Sequence, residues 1–218
     1  MNKIIMIGLF IVISGAQTVF GQLGDDGTYL WNTIQVNHKW GQKYELVFTN
    51  RVFYSDISDR LDYYFLDLTG YRTVTKHVSV GLGYRRTETY KTDRWNYGNI
   101  YWMYGVIYAK AAGVKFKIAN RLGHKSFKEV DSQIAFDNIS TIDFFTNSTS
   151  KIPKPYVIEE VFSELKSMKV QNMKLFTGLH LLKKPNFGFD VFYAFWKSNT
   201  STGWKNYNVY GVATKFNL

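Results

Sequence analysis

Four histidines, His38, His77, His124 and His180, are the natural general bases of this chain, and there is no cysteine. No His-Glu-x-x-His, Gly-x-Ser-x-Gly or phosphate-cradling glycine loop is present. The pair that could do chemistry is His77-x-Ser79. Two residues apart on a strand, their side chains share a face and sit ~6.5–7 Å apart. With an acid on a neighbouring strand to orient the imidazole, such a pair could cleave an ester by nucleophilic attack of the serine. The short turn expected at Thr75-Lys76 places the pair at the very start of its strand. A hydrogen-bonded histidine at a strand start is the plainer reading. Glu159-Glu160 could be an acid and a base, but adjacent strand residues point to opposite faces. They are expected to be one lumen partner for a Lys or Arg and one rim charge. Lys91, Arg94, Lys125, Lys128, Lys151, Lys154 and Lys205 fall in or beside expected loops. They could hold lipid phosphates or be ordinary solvated charges. Asn138, Asn147 and Asn199 begin Asn-x-Ser/Thr triplets. No catalytic, cofactor-binding or metal-binding residue is assigned, and no cofactor is implied.

The elements that would carry these residues are strands. From Phe187 onward, Phe187, Phe189, Val191, Tyr193 and Phe195 fall on one face, and Gly188, Asp190, Ala194 and Trp196 on the other. After a polar loop, Tyr210, Val212, Thr214, Phe216 and Leu218 alternate with Gly211, Ala213, Lys215 and Asn217. One face is greasy and the other small or polar, as in a barrel that turns its apolar side to lipid. The same period of two recurs earlier. Leu30, Ile34 and Val36 oppose Thr33, Gln35 and Asn37. Tyr44, Leu46 and Phe48 oppose Glu45, Thr49 and Arg51. Val78, Val80, Leu82 and Tyr84 oppose Ser79, Gly81, Gly83 and Arg85. Val114, Phe116 and Ile118 oppose Lys115, Lys117 and Arg121. Those cations could not be buried unpaired in a dry core. In a lumen they can meet Asp67, Glu45, Asp190 or water.

Short turns are expected at Trp40-Gly41-Gln42, Thr75-Lys76, Ala112-Gly113 and Lys184-Pro185-Asn186. Longer loops are expected around Asp56, Asp93, Lys125 and Ser201. Residues 124–131 read as a loop, 133–145 as a possible strand, and 156–166 as either extended or helical. About eleven strands result. Bacterial single-chain barrels have even numbers, so the expectation is an all-β, up-and-down transmembrane barrel of ten or twelve strands.

The totals agree. Tyr, Phe and Trp make up 18% of the chain, an excess that two interfacial belts would absorb. The net charge of +10 points to nucleic acid, an acidic membrane surface or anionic head groups. An export signal removes nucleic acid from that set. Lys3 precedes a run of about thirteen mostly apolar residues, too short to span a bilayer. Val19 and Gly21 suit a cleavage site, which makes residues 1–21 a secretory signal peptide and 22–218 the barrel. In hydrocarbon every backbone group must be paired internally, so a strand-built membrane protein has to close. A soluble barrel would need the reverse arrangement, apolar inside and charged outside.

Leu30-Trp31 with Trp40, Gly70-Tyr71-Arg72, Gly83-Tyr84-Arg85, Asn120-Arg121-Leu122, Glu159-Glu160-Val161-Phe162 and Gly178-Leu179 occur in that order. In them the chain resembles an uncharacterised outer-membrane β-barrel family of bacteria, a domain of unknown function. Gly123-His124-Lys125 departs from the family's more Arg-rich pattern after the Asn-Arg pair. The resemblance implies a fold and a location in the cell outer membrane of a Gram-negative bacterium, and no activity. The expected function is a monomeric, non-enzymatic envelope protein, structural or a narrow conduit. Its partners would be membrane lipids, lipopolysaccharide phosphates among them, and the barrel-assembly machinery. The alternatives are a lipid-modifying hydrolase (a lipid A deacylase or phospholipase-like enzyme) and a soluble ligand-binding barrel.

Overall fold

The computed structural model describes residues 26–91, 94–111, 113–127, 130–144 and 153–218. The expected signal peptide, residues 1–21, lies outside them. The described chain is a meander of β1 (Thr28–Trp40), β2 (Tyr44–Ser55), β3 (Arg60–Thr75), β4 (Val78–Lys91), β5 (Arg94–Ala111) and β6 (Val114–Phe127). It continues through β7 (Val130–Phe144), β8 (Lys154–Glu164), β9 (Lys169–Lys183), β10 (Phe187–Thr200) and β11 (Gly203–Asn217). Each strand pairs antiparallel with the next, and β1 pairs with β11 to close the barrel.

Eleven strands, not ten or twelve, make the closure. With an odd number the first and last strands run the same way, so the seam is parallel, from Thr28↔Asn208 to Asn37↔Asn217. A parallel ladder is slightly weaker per residue than an antiparallel one, but it leaves no open edge. The chain therefore enters the barrel at one rim and leaves it at the other. The expected contrast between short and long loops is also absent. β4 runs to Lys91 and β5 starts at Arg94, β6 runs through Lys125 to Phe127, and β10 and β11 are separated only by Ser201 and Thr202. Residues 124–127, expected as loop, are strand, and 156–164 are strand and not helix. The longest interval between strands, from Phe144 to Lys154, is on the opposite rim. Period-two alternation simply continues through polar residues where composition alone suggests a loop. Gly41 at φ 59° and Gly113 at φ 83° supply the left-handed residues of two tight turns.

The two faces divide as the alternation predicts. Leu30, Ile34, Leu66, Leu68, Val80 and Leu82 point outward and are exposed, Leu82 by 68%. On the same strand the Arg85 side chain is only 16% exposed, and Asp190 is 3% exposed. Phe189 is half-buried and Phe195 is buried, although both alternate onto the outer side. The outer wall has a polar seam on β6 and β7. Asn138 donates to Asn120 at 2.8 Å, and Ser140 donates to Asn138 at 3.1 Å, so these side chains satisfy one another. Glu159, opposite Ser140, is exposed on the same wall.

Candidate functional site in the lumen

Inward-pointing residues of many strands pack together inside the barrel. Trp31, Phe53, Phe65, Phe176, Ala194 and Val209 form one buried cluster, drawn from β1, β2, β3, β9, β10 and β11. Ile100, Trp102, Tyr104 and Ala135 form a second, with Tyr71 and Phe162 packed against it. The aromatic excess was expected at interfacial belts, but much of it fills the interior. Period two assigns an aromatic to a face without saying which face is inside. Glycines make room for these rings. A Cβ on Gly123 would sit 2.1 Å from Trp102, and one on Gly178 would sit 2.4 Å from Tyr156. Gly123→Ala is therefore expected to destabilise the barrel by about 1–3 kcal/mol through overpacking, read as a lower urea midpoint.

Charges thread between the rings. Arg85 pairs with Asp67 at 2.7 Å and lies over the Phe65 ring at 4.1 Å. The Arg51 guanidinium donates to Thr33 Oγ1 at 2.8 Å and sits 5.0 Å from the Trp31 ring centroid. Arg121 is held by Asp137 and by Glu160, the latter at 3.0 Å, with its guanidinium 4.8 Å from Trp102. Lys174 reaches the other Glu160 oxygen at 3.4 Å. Lys125 is an inward strand residue, 3.4 Å from the Phe162 ring, and not a loop cation free to hold a phosphate. Pairing and cation–π contact are what let these cations leave water. Arg121 does not meet Asp67, Glu45 or Asp190, the partners open to it from sequence. Asp67 is taken by Arg85, and Asp190 by His180 and Lys215.

A second group lies toward the β1–β2 rim. His180 Nδ1 is 2.7 Å from Asp190, and Nε2 is 3.1 Å from Asp143. Lys215 donates to the other Asp190 oxygen at 2.7 Å. The His180 ring stacks on Tyr156 at 4.6 Å. Both nitrogens face carboxylate oxygens, an arrangement satisfied when both carry protons. Sequence places His180 on the polar face of its strand; only folding brings β7, β9, β10 and β11 together around it.

The residues singled out for chemistry are not joined in this way. His77 lies in the β3–β4 turn and its Nδ1 is 3.2 Å from the Tyr108 carbonyl oxygen. Ser79 is buried on β4 and its hydroxyl donates to Thr73 at 3.5 Å. Glu160 points inward and Glu159 outward, as adjacent strand positions must. Among the described residues no cluster of three or more His, Asp or Glu is arranged to hold a metal ion. Lys128 and Lys151 lie outside the described residues.

A closed barrel with a lumen packed by rings and ion pairs is the class that fold and site define. The chain belongs to the family described as Protein of unknown function (DUF2490), whose model matches residues 28–208, from the first residue of β1 into β11. Comparison with curated proteins gives no match.

Proposed function

We propose that this protein is a monomeric, non-enzymatic β-barrel of the bacterial outer membrane, with a structural role in the envelope. The observation that carries this reading is the outward, exposed, apolar wall of a fully closed barrel, with Leu82 at its most exposed. A soluble barrel has no reason to offer Leu30, Leu68, Val80, Leu82, Met103 and Ile107 to water together. Hydrocarbon requires such a wall and such closure. Nitroxide labels at Val80, Leu82 and Tyr84 are expected to collide with dissolved oxygen more often than with an aqueous nickel reagent. The opposite ranking would refute the membrane reading.

The packed lumen favours the structural role over a conduit. Arg121 on β6 reaches Glu160 on β8, Lys174 on β9 holds the other Glu160 oxygen, and the Trp31 cluster packs side chains of six strands inside the barrel, which leaves little room for a wide water column. In planar bilayers the protein is expected to give no discrete conductance steps. Regular unitary steps would reassign it as a channel. The lipid-hydrolase alternative draws nothing from the geometry of His77 and Ser79. Ser79→Ala is expected to leave acyl release from lipid vesicles at the parent's level, and a loss of release would restore that alternative.

A further inference from the structure

The outer wall carries a groove of about 820 Å³ across β2, β3, β4 and β5, beside the β1–β2 rim. The volume is within the ~300–1,000 Å³ typical of sites for small ligands. Its floor is bare backbone at Gly70, where an added Cβ would meet nothing within 4 Å. Leu46 and Leu82 flank Gly70 in register, and Val80 and Met103 extend the apolar surface. Gly105, the partner of Val80 on β5, is equally open, so the depression continues past Val80.

The rim end of the groove has a different chemistry. Arg72 lies between Tyr44 and Val80 in the ladder, points outward and is exposed. Among the described residues, no hydrogen bond or ion pair engages its guanidinium. Trp40 and Tyr44, exposed by 53% and 51%, stand beside it at the depth where aromatic girdles meet head groups. An arginine on a wall otherwise facing hydrocarbon is costly unless it reaches the interface and a counter-charge.

We propose that this groove binds one anionic phospholipid, with an acyl chain lying over Gly70 between Leu46 and Leu82 and the phosphate on Arg72. The inference rests on the membrane reading above, and it adds a defined site and a head-group preference. The apolar surface fits a chain, and Arg72 at its interfacial end fits a phosphate whose charge no head-group ammonium offsets. An arginine fork matches phosphate oxygens in a way an ammonium does not.

The test uses the full chain in nanodiscs or micelles, with native mass spectrometry of retained lipid. The probes are phosphatidylglycerol and phosphatidylcholine with identical acyl chains. The parent is expected to retain phosphatidylglycerol about fivefold better, the factor for one basic residue at an anionic surface. Arg72→Gln should bring the two lipids to about equal retention while leaving a chain bound. Gly70→Leu should lower retention of both, because it fills the groove without touching the lumen. Strand content by circular dichroism shows that each variant folds, and Arg72→Gln tests the site without altering packing. Equal retention of both lipids by the parent, or unchanged retention in both variants, overturns the proposal. Co-flotation with vesicles separates the two levels. A chain that floats with vesicles but shows no lipid preference loses only the groove. A chain that does not float loses the membrane reading as well.

Discussion

Arg121→Met is expected to destabilise the barrel by about 3–5 kcal/mol, the cost of leaving buried carboxylates without their cation. The guanidinium is 5% exposed and serves Asp137 and Glu160 together. Asp137 is itself 3% exposed and has no other ion-pair partner among the described residues. Glu160 would keep Lys174 at 3.4 Å, so most of the penalty falls on Asp137. The loss should appear as a lower urea midpoint by tryptophan fluorescence, since Trp102 lies against the guanidinium. Arg121→Met combined with Asp137→Leu should recover most of it, because replacing both members of a buried pair by apolar groups is often neutral. A single variant within about 0.5 kcal/mol of the parent, the range of ordinary surface changes, would mean that the pair sits in water and that the lumen is not packed.

The second large effect concerns the other face. Leu82 is four residues into β4 from the β3–β4 turn, ~13 Å along the strand. If lipid surrounds the wall, Leu82→Arg puts a cation near the bilayer midplane at a cost of about 2–4 kcal/mol. His77→Arg in the turn, at the interface, should cost about 0–1 kcal/mol. In water both would fall within about ±0.5 kcal/mol. The comparison is made by reversible unfolding from lipid vesicles. Equal, small effects at the two positions would contradict a lipid-facing wall. The same measurement leaves the lumen untouched, since Leu82 and Arg85 are on opposite faces of β4.

Several features were legible in the residues alone. The partition of Val80, Leu82 and Tyr84 from Ser79, Gly81 and Arg85 follows from alternation and is the partition observed. So is the inward placement of Lys115, Lys117 and Arg121, and the separation of Glu159 from Glu160. Even the strand count was readable: the alternating segments number about eleven. The even count of bacterial barrels requires an antiparallel seam with both ends of the sheet at one rim, whereas here β1 and β11 run parallel and end at opposite rims. Composition suggests loops at 124–127 and 94–98, where polar residues are strand because the neighbouring ladders extend that far; Asp93 itself lies outside the described residues.

By itself, then, the sequence determined that strands alternate between a greasy and a polar side, because side-chain direction repeats every two residues whatever the partner. Only the tertiary structure decided the parallel closure of β1 on β11, the aromatic filling of the interior, and the choice of Asp137 and Glu160 for Arg121. Each depends on which strands become neighbours, in what register, and which then face one another in the closed barrel. That is set by register and closure, and a local period carries no record of either.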